Sequence, residues 1–370
     1  MMAVIQGMCA RISMVHGEGL AAVLRRRMPP ALTYTVAFLV IVANTFNVGA
    51  DLGGMAAATH AVAGIIPVDA LVFLFGIALV AAQVFLSYGL IARIFKWLTL
   101  TLFAYVITAF IVHAPWPHVF ASLVLPKVQF DKTWLSTLVG LLGTTITPYL
   151  FFWQSGLEVE EEKQQGRTTI AQRKGADKKS IRERHADINT GMIFSNAVAF
   201  FIVVTTAATL GAYGKHEIVT AQDAAAALAP LAGNFAAAVF MLGMIGTGML
   251  AVPVLATSSA YVAAETFRFR EGLNELPHRA PRFYLVIVAG ILIGIAMNLL
   301  RVDPIKALFW SAIINGVAAV PLVGVVVWLG SDRRAMREWT SSPPAIAWGW
   351  ATVALMGLAT LGMFYFMAAR

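Results

Sequence analysis

Residues 143–155, GTTITPYLFFWQS, set a proline and three threonines inside an otherwise apolar stretch at 134–155. Pro148 has no N–H to give the preceding turn, and its ring clashes with the carbonyl four residues back, so a helix passing through it must kink or break. Broken backbone at membrane depth persists only where it faces protein or a watery cavity. Helical carriers build their midplane ion sites from such interrupted helices. Thr144, Thr145 and Thr147 place hydroxyls around the interruption, beside carbonyls released from helix bonding. The alternative is a plain proline kink whose threonines bond back to their own helix.

On both sides of this segment, apolar runs long enough to cross a hydrocarbon core of about 30 Å recur along nearly all 370 residues. They predict nine complete spans, at roughly 31–58, 69–91, 97–114, 134–155, 191–214, 233–264, 283–300, 304–329 and 344–368. Hydrophobic residues make up 59% of the chain and charged residues 12%, about half the charged share of a soluble domain. The reading is an all-α, polytopic membrane protein forming one transmembrane domain, with the lipid bilayer as solvent. The net charge of +8 does not point to nucleic acid, because the basic residues sit in short loops between apolar runs. With Arg25, Arg26 and Arg27 placed inside, 21 of the 27 lysines and arginines fall on the inner side. The other six are Lys127, Lys132, Lys215, Arg301, Lys306 and Arg370. This bias supports the helix count and orients a multi-pass membrane protein with its C-terminus outside. The stretch 156–190, acidic at Glu158, Glu160, Glu161 and Glu162 and basic from Lys163, reads as a charged cytoplasmic loop with a helical start. A single cysteine, Cys9, excludes an intrachain disulfide, and neither a CxxC nor a histidine pair offers metal-ligand spacing. Paired intramembrane carboxylates, a Ser/His dyad and HExxH are all missing, which argues against an enzyme.

The segment LLGTTITPYLFFWQSGLEVEEEK resembles the sixth-helix signature of NRAMP-related bacterial transporters. MCARISMVHGEGLA is similar to the end of that family's second helix, and DPIKALFWSAIINGVAAVPL to its tenth. The resemblance covers essentially the whole chain in order. It implies the leucine-transporter fold, an inverted five-plus-five repeat with an eleventh helix, a multi-pass place in a bacterial inner membrane, and divalent metal ions as cargo with no resident cofactor.

The resemblance also marks departures with chemical content. The family presents an alanine carbonyl and, three residues later, a methionine thioether on the sixth helix. Thr144 and Thr147 match those positions and become the expected metal ligands, with Thr145, Pro148 and Tyr149 beside them on the pathway. A thioether favours soft transition metals, whereas hydroxyls, carbonyls and water suit Mg²⁺ or Mn²⁺. Proton-coupled members carry an acidic pair on the third helix where this chain has Asn44 and Asn47. Amides do not titrate, so symport through that route is not expected. Asp51 is the acid left in that span; it is either functional or reaches interfacial water at the helix end. Asn315 falls near the polar position of the tenth helix.

The family's first helix carries an Asp-Pro-Gly-Asn or Asp-Pro-Ser-Gly motif, and none occurs before residue 14. Residues 1–13 therefore read as the remnant of the second family helix, in an N-terminally truncated chain. The expectation is a secondary transporter or facilitator of divalent cations, Mn²⁺ or Mg²⁺ foremost, that is inactive if truncated. A non-transporting membrane protein acting through partners, and a carrier of an organic solute on the same fold, are the alternatives. Oligomeric state is not legible.

Overall fold

Five of the long helices open on a proline, at Pro30, Pro148, Pro281, Pro304 and Pro343, because a first-turn residue has no use for an N–H and proline's φ already suits the helix. The computed structural model describes all residues except 87–96, 126–127, 129–130, 212–213, 215–220 and 369–370. Its described residues contain helices and no strand. In chain order the longer described helices are α1 (Met2–His16), α2 (Leu20–Arg27), α3 (Pro30–Ala63), α4 (Val68–Phe85), α5 (Phe103–Ile111), α6 (Trp116–Val124) and α7 (Lys132–Thr145). There follow α8 (Pro148–Gln164), α9 (Lys178–Thr209), α10 (Ala236–Phe267), α11 (Pro281–Leu299), α12 (Pro304–Ser331) and α13 (Pro343–Ala368).

Among the described residues, eight helical stretches are long and apolar enough to span a membrane, with α7 and α8 forming one of them. A bent pair made of α5 and α6, turning through 108°, raises the number to nine. The span expected at 97–114 is thus a short helix that doubles back at Pro115. Arg93, Lys96, Lys127, Lys215, His216 and Arg370 lie outside the described residues. The apolar surfaces of the spans, such as Phe38, Leu74, Ile77, Trp310 and Leu358, remain exposed on the single chain, as lipid-facing side chains should.

α3 runs through the middle and packs against α4, α10, α11 and α12, while α12 also contacts α1, α7 and α13. One apolar core joins α1, α2, α8 and α12 around Ile5, Ile12, Phe151, Phe152 and Val326. A second joins α3, α4, α10 and α11 around Leu52, Met55, Tyr261 and Phe283. Residues 2–13 belong to α1, whose Ile5, Cys9 and Ile12 are fully buried.

The stretch expected as a charged loop is largely helical. α8 continues to Gln164, one turn forms at Ile170–Arg173, and α9 starts at Lys178, capped by the Asp177 carboxylate accepting from Ser180 N at 2.9 Å. Arg184 on α9 supplies the reason: it pairs with Glu158 at 2.7 Å and also with Glu161, tying both charged helix ends together. Gln154 extends the tie to α1, accepting from Gln6 at 2.9 Å and donating to Glu158 at 2.7 Å. On its other side α8 is held by Glu160, which accepts from Lys163 at 3.0 Å and from Asn274 at 2.9 Å.

Candidate functional site

The interruption predicted at Pro148 is two residues long. α7 ends at Thr145, Ile146 closes it by donating its N–H to Leu142 O at 2.7 Å, and Thr147 is extended at φ −98°, ψ 130°. A residue before proline is sterically driven out of the helical region, so this local sequence makes the break by itself. The last carbonyls of α7 then have no intrahelical partner, and they stand against the N-terminus of α8. Fixed dipoles of opposite sense meet at one point.

The three threonines divide. Thr144 donates to Gly140 O at 2.9 Å, and Thr145 to Leu141 O at 2.9 Å. Both satisfy the back-bonded alternative, and Thr144 is exposed. Thr147 is 3% exposed and its hydroxyl has no partner among the described residues. Tyr149 turns its carbonyl to Ser258 of α10, which donates at 2.9 Å.

α3 and α12 form the opposing wall. Ser311 on α12 is fully buried and donates to the Asn47 side-chain oxygen. Asn315, one turn on along the same face, is 3% exposed, with its amide oxygen unpartnered among the described residues. The next residue, Gly316, lies in backbone contact with α7: a Cβ on Gly143 would overlap Ala312 O and sit 2.8 Å from Gly316 Cα. The Asn47–Ser311–Asn315 seam therefore meets α7 five residues before Pro148. Asp51, one turn beyond Asn47, has no hydrogen bond or ion pair among the described residues, and lies near enough to Tyr149 to act on it electrostatically.

Asn44 does not join this group. Its amide nitrogen donates to Leu255 O at 3.3 Å and Ser259 Oγ at 3.0 Å on α10. It lines a separate crevice of about 140 Å³ between α3, α10 and α11. Ser311 and Ser258 were not expected from the sequence. The spacing of Ser311 and Asn315, four apart on one helix face, was the available signal for the first.

No cluster of three or more His, Cys, Asp or Glu able to hold a metal occurs among the described residues. The break offers neutral oxygens and one nearby carboxylate instead, donors that suit a hard divalent cation keeping part of its water shell.

The family model for natural resistance-associated macrophage protein-like proteins matches residues 1–366. A divalent metal cation transporter MntH of Acidiphilium cryptum is 25% identical over 345 residues, covering 90% of this chain and 72% of that protein. MntH 1 of Pseudomonas aeruginosa is 24% identical over 375 residues, covering 98% and 81%. A crystal structure of the Eremococcus coleocola manganese transporter superposes with a TM-score of 0.67 at 16% identity, over 97% of this chain and 76% of that one. That likeness shows the leucine-transporter-like membrane fold.

Proposed function

The chain belongs to the natural resistance-associated macrophage protein-like family, and from that premise we propose that it carries divalent cations through the α7–α8 interruption, with Mn²⁺ or Mg²⁺ as cargo in preference to Cd²⁺. Relatives named as divalent metal cation transporters support the cargo class. One observation carries the finer reading: Thr147, buried at the break with a free hydroxyl, where a methionine thioether would stand in a soft-metal carrier. Asn315 and Asp51 extend the oxygen-rich path along α12 and α3. Mg²⁺ gives up water reluctantly and is bound through few protein oxygens, so unpartnered neutral groups with one carboxylate suit a partly hydrated ion.

The test is ion flux into liposomes holding the protein, with Mn²⁺, Mg²⁺ and Cd²⁺ compared. Flux of Mn²⁺ and Mg²⁺ with little preference for Cd²⁺ is expected, and Thr147→Met should shift selectivity toward Cd²⁺ by about tenfold, equivalent to about 1.4 kcal/mol. Tight Cd²⁺ selectivity in the unaltered protein would overturn the assignment of Thr147.

A further inference from the structure

A second cavity, of about 170 Å³, lies far from the break, among the inner ends of α2, α8 and α10. Most of its charged groups are already engaged. Glu265 accepts from Ala22 N at 3.1 Å, so its carboxylate caps α2, which has no side-chain cap of its own. Arg25 donates to the Glu265 carbonyl, and Glu18 pairs with Arg26 at 2.7 Å. Lys163 donates to Glu160 and, at 3.4 Å, to the Glu271 carbonyl.

Two groups lining the cavity are left over among the described residues, a carboxyl and a guanidinium. Glu271 has a carboxyl oxygen that is buried without a hydrogen-bond partner among the described residues. Arg268 is exposed, has no hydrogen bond or ion pair among the described residues, and is close enough to Arg25 for the two guanidinium groups to repel. The cavity thus has an unpaired acid inside and surplus positive charge where it opens. Beside Arg268, Phe267 is 60% exposed and pairs with Tyr34, 48% exposed, at 5.8 Å. Exposed aromatic side chains next to arginines at the end of a span mark the level of the lipid headgroups.

We propose that this cavity binds the headgroup of a phosphatidylethanolamine-type lipid. The phosphodiester lies between Arg25 and Arg268, and the primary ammonium reaches in to the free oxygen of Glu271. The charge order selects this occupant. A phosphatidylglycerol headgroup brings an anion but no cation for Glu271. A choline headgroup brings a cation with no N–H, and leaves a buried acceptor unsatisfied, which is the costly condition for a polar group.

The experiment measures lipid affinity of the purified full chain by thermal unfolding in detergent, with phosphatidylethanolamine, phosphatidylcholine, phosphatidylglycerol or free phosphoethanolamine added. Ethanolamine lipid is expected to bind at least tenfold more tightly than the other three. Glu271→Gln should abolish the preference over choline lipid, and Arg268→Asn, at an exposed position whose left-handed backbone asparagine tolerates, should weaken ethanolamine lipid several-fold. Equal binding of phosphatidylglycerol would reduce the site to a basic patch and overturn the proposal. So would equal affinity for free phosphoethanolamine, a preference that survives Glu271→Gln, or the absence of any lipid effect. Should Glu271→Gln fail to fold, an unchanged affinity in Arg268→Asn is refutation enough.

Discussion

Gly143→Ala tests the close approach of α7 to α12 on which the placement of the break depends. The new methyl would overlap Ala312 O and come within 2.8 Å of Gly316 Cα, both backbone atoms that no rotamer change can move. Relief requires the two helices to separate by about 1 Å, and overpacking of this kind costs about 3 kcal/mol at the upper end of the usual range. Alanine's better helix propensity returns about 1 kcal/mol, leaving a net loss of about 2 kcal/mol. Gly140→Ala, one turn earlier on the same face, is the control. Its methyl would meet Ile313 Cγ1 at 3.8 Å and Ala312 Cβ at 3.9 Å, ordinary contacts, so it should be neutral or mildly stabilising. Thermal unfolding of both variants in one detergent reads the difference directly. If Gly143→Ala unfolds at or above the temperature of Gly140→Ala, the two helices are not in backbone contact and the seam leading to the break is misplaced.

Three other outcomes are expected. With amides at positions 44 and 47, cation entry into liposomes should proceed without acidification of the lumen, and a pH change that tracks flux stoichiometrically would count against this. Arg184→Gln strips Glu158, whose side chain is 3% exposed, of its charged partner, and should cost about 2 kcal/mol, below the 3–5 kcal/mol of a fully buried pair because Arg184 itself is partly solvated; a double-mutant cycle with Glu158→Gln measures the coupling. Burial, reinforced by the neighbouring Glu265 carboxylate, raises the Glu271 carboxyl well above the ordinary carboxylate range. A raised folded-state value means the stabilisation associated with the protonated form is present at low pH and is lost as pH rises through that value, so Glu271→Gln should stabilise the lipid-free protein more at pH 8 than at pH 5, and an equal effect at both would contradict the shift.

The membrane class and the break were legible because their causes are local. Apolar length is read by counting, and proline constrains the backbone around it wherever it stands, so Pro148 announced the interruption that ends α7. Where partners decide, the sequence was silent. Thr144 and Thr147 look alike three residues apart, yet one is exposed and bonds its own helix while the other is buried with no partner among the described residues. Asn44 and Asn47 likewise share one helix and separate toward α10 and α12. Residues 178–190 looked like loop because they are charged, but charge rules out burial in lipid, not helix, and Arg184 found its acids on α8.

α3 has 34 residues, about 51 Å of helix, whereas a bilayer with its headgroup zones is about 40–45 Å thick. It must lean or protrude, and how far it leans is a matter of membrane thickness. Because Asn47 is tied to Ser311 on α12 and Asn44 to Ser259 on α10, any change in that lean pulls on both helices at mid-depth. Membrane thickness thereby becomes a mechanical input to the polar seam, and lipids with shorter or longer acyl chains would set the spacing of its oxygens without any ligand being added.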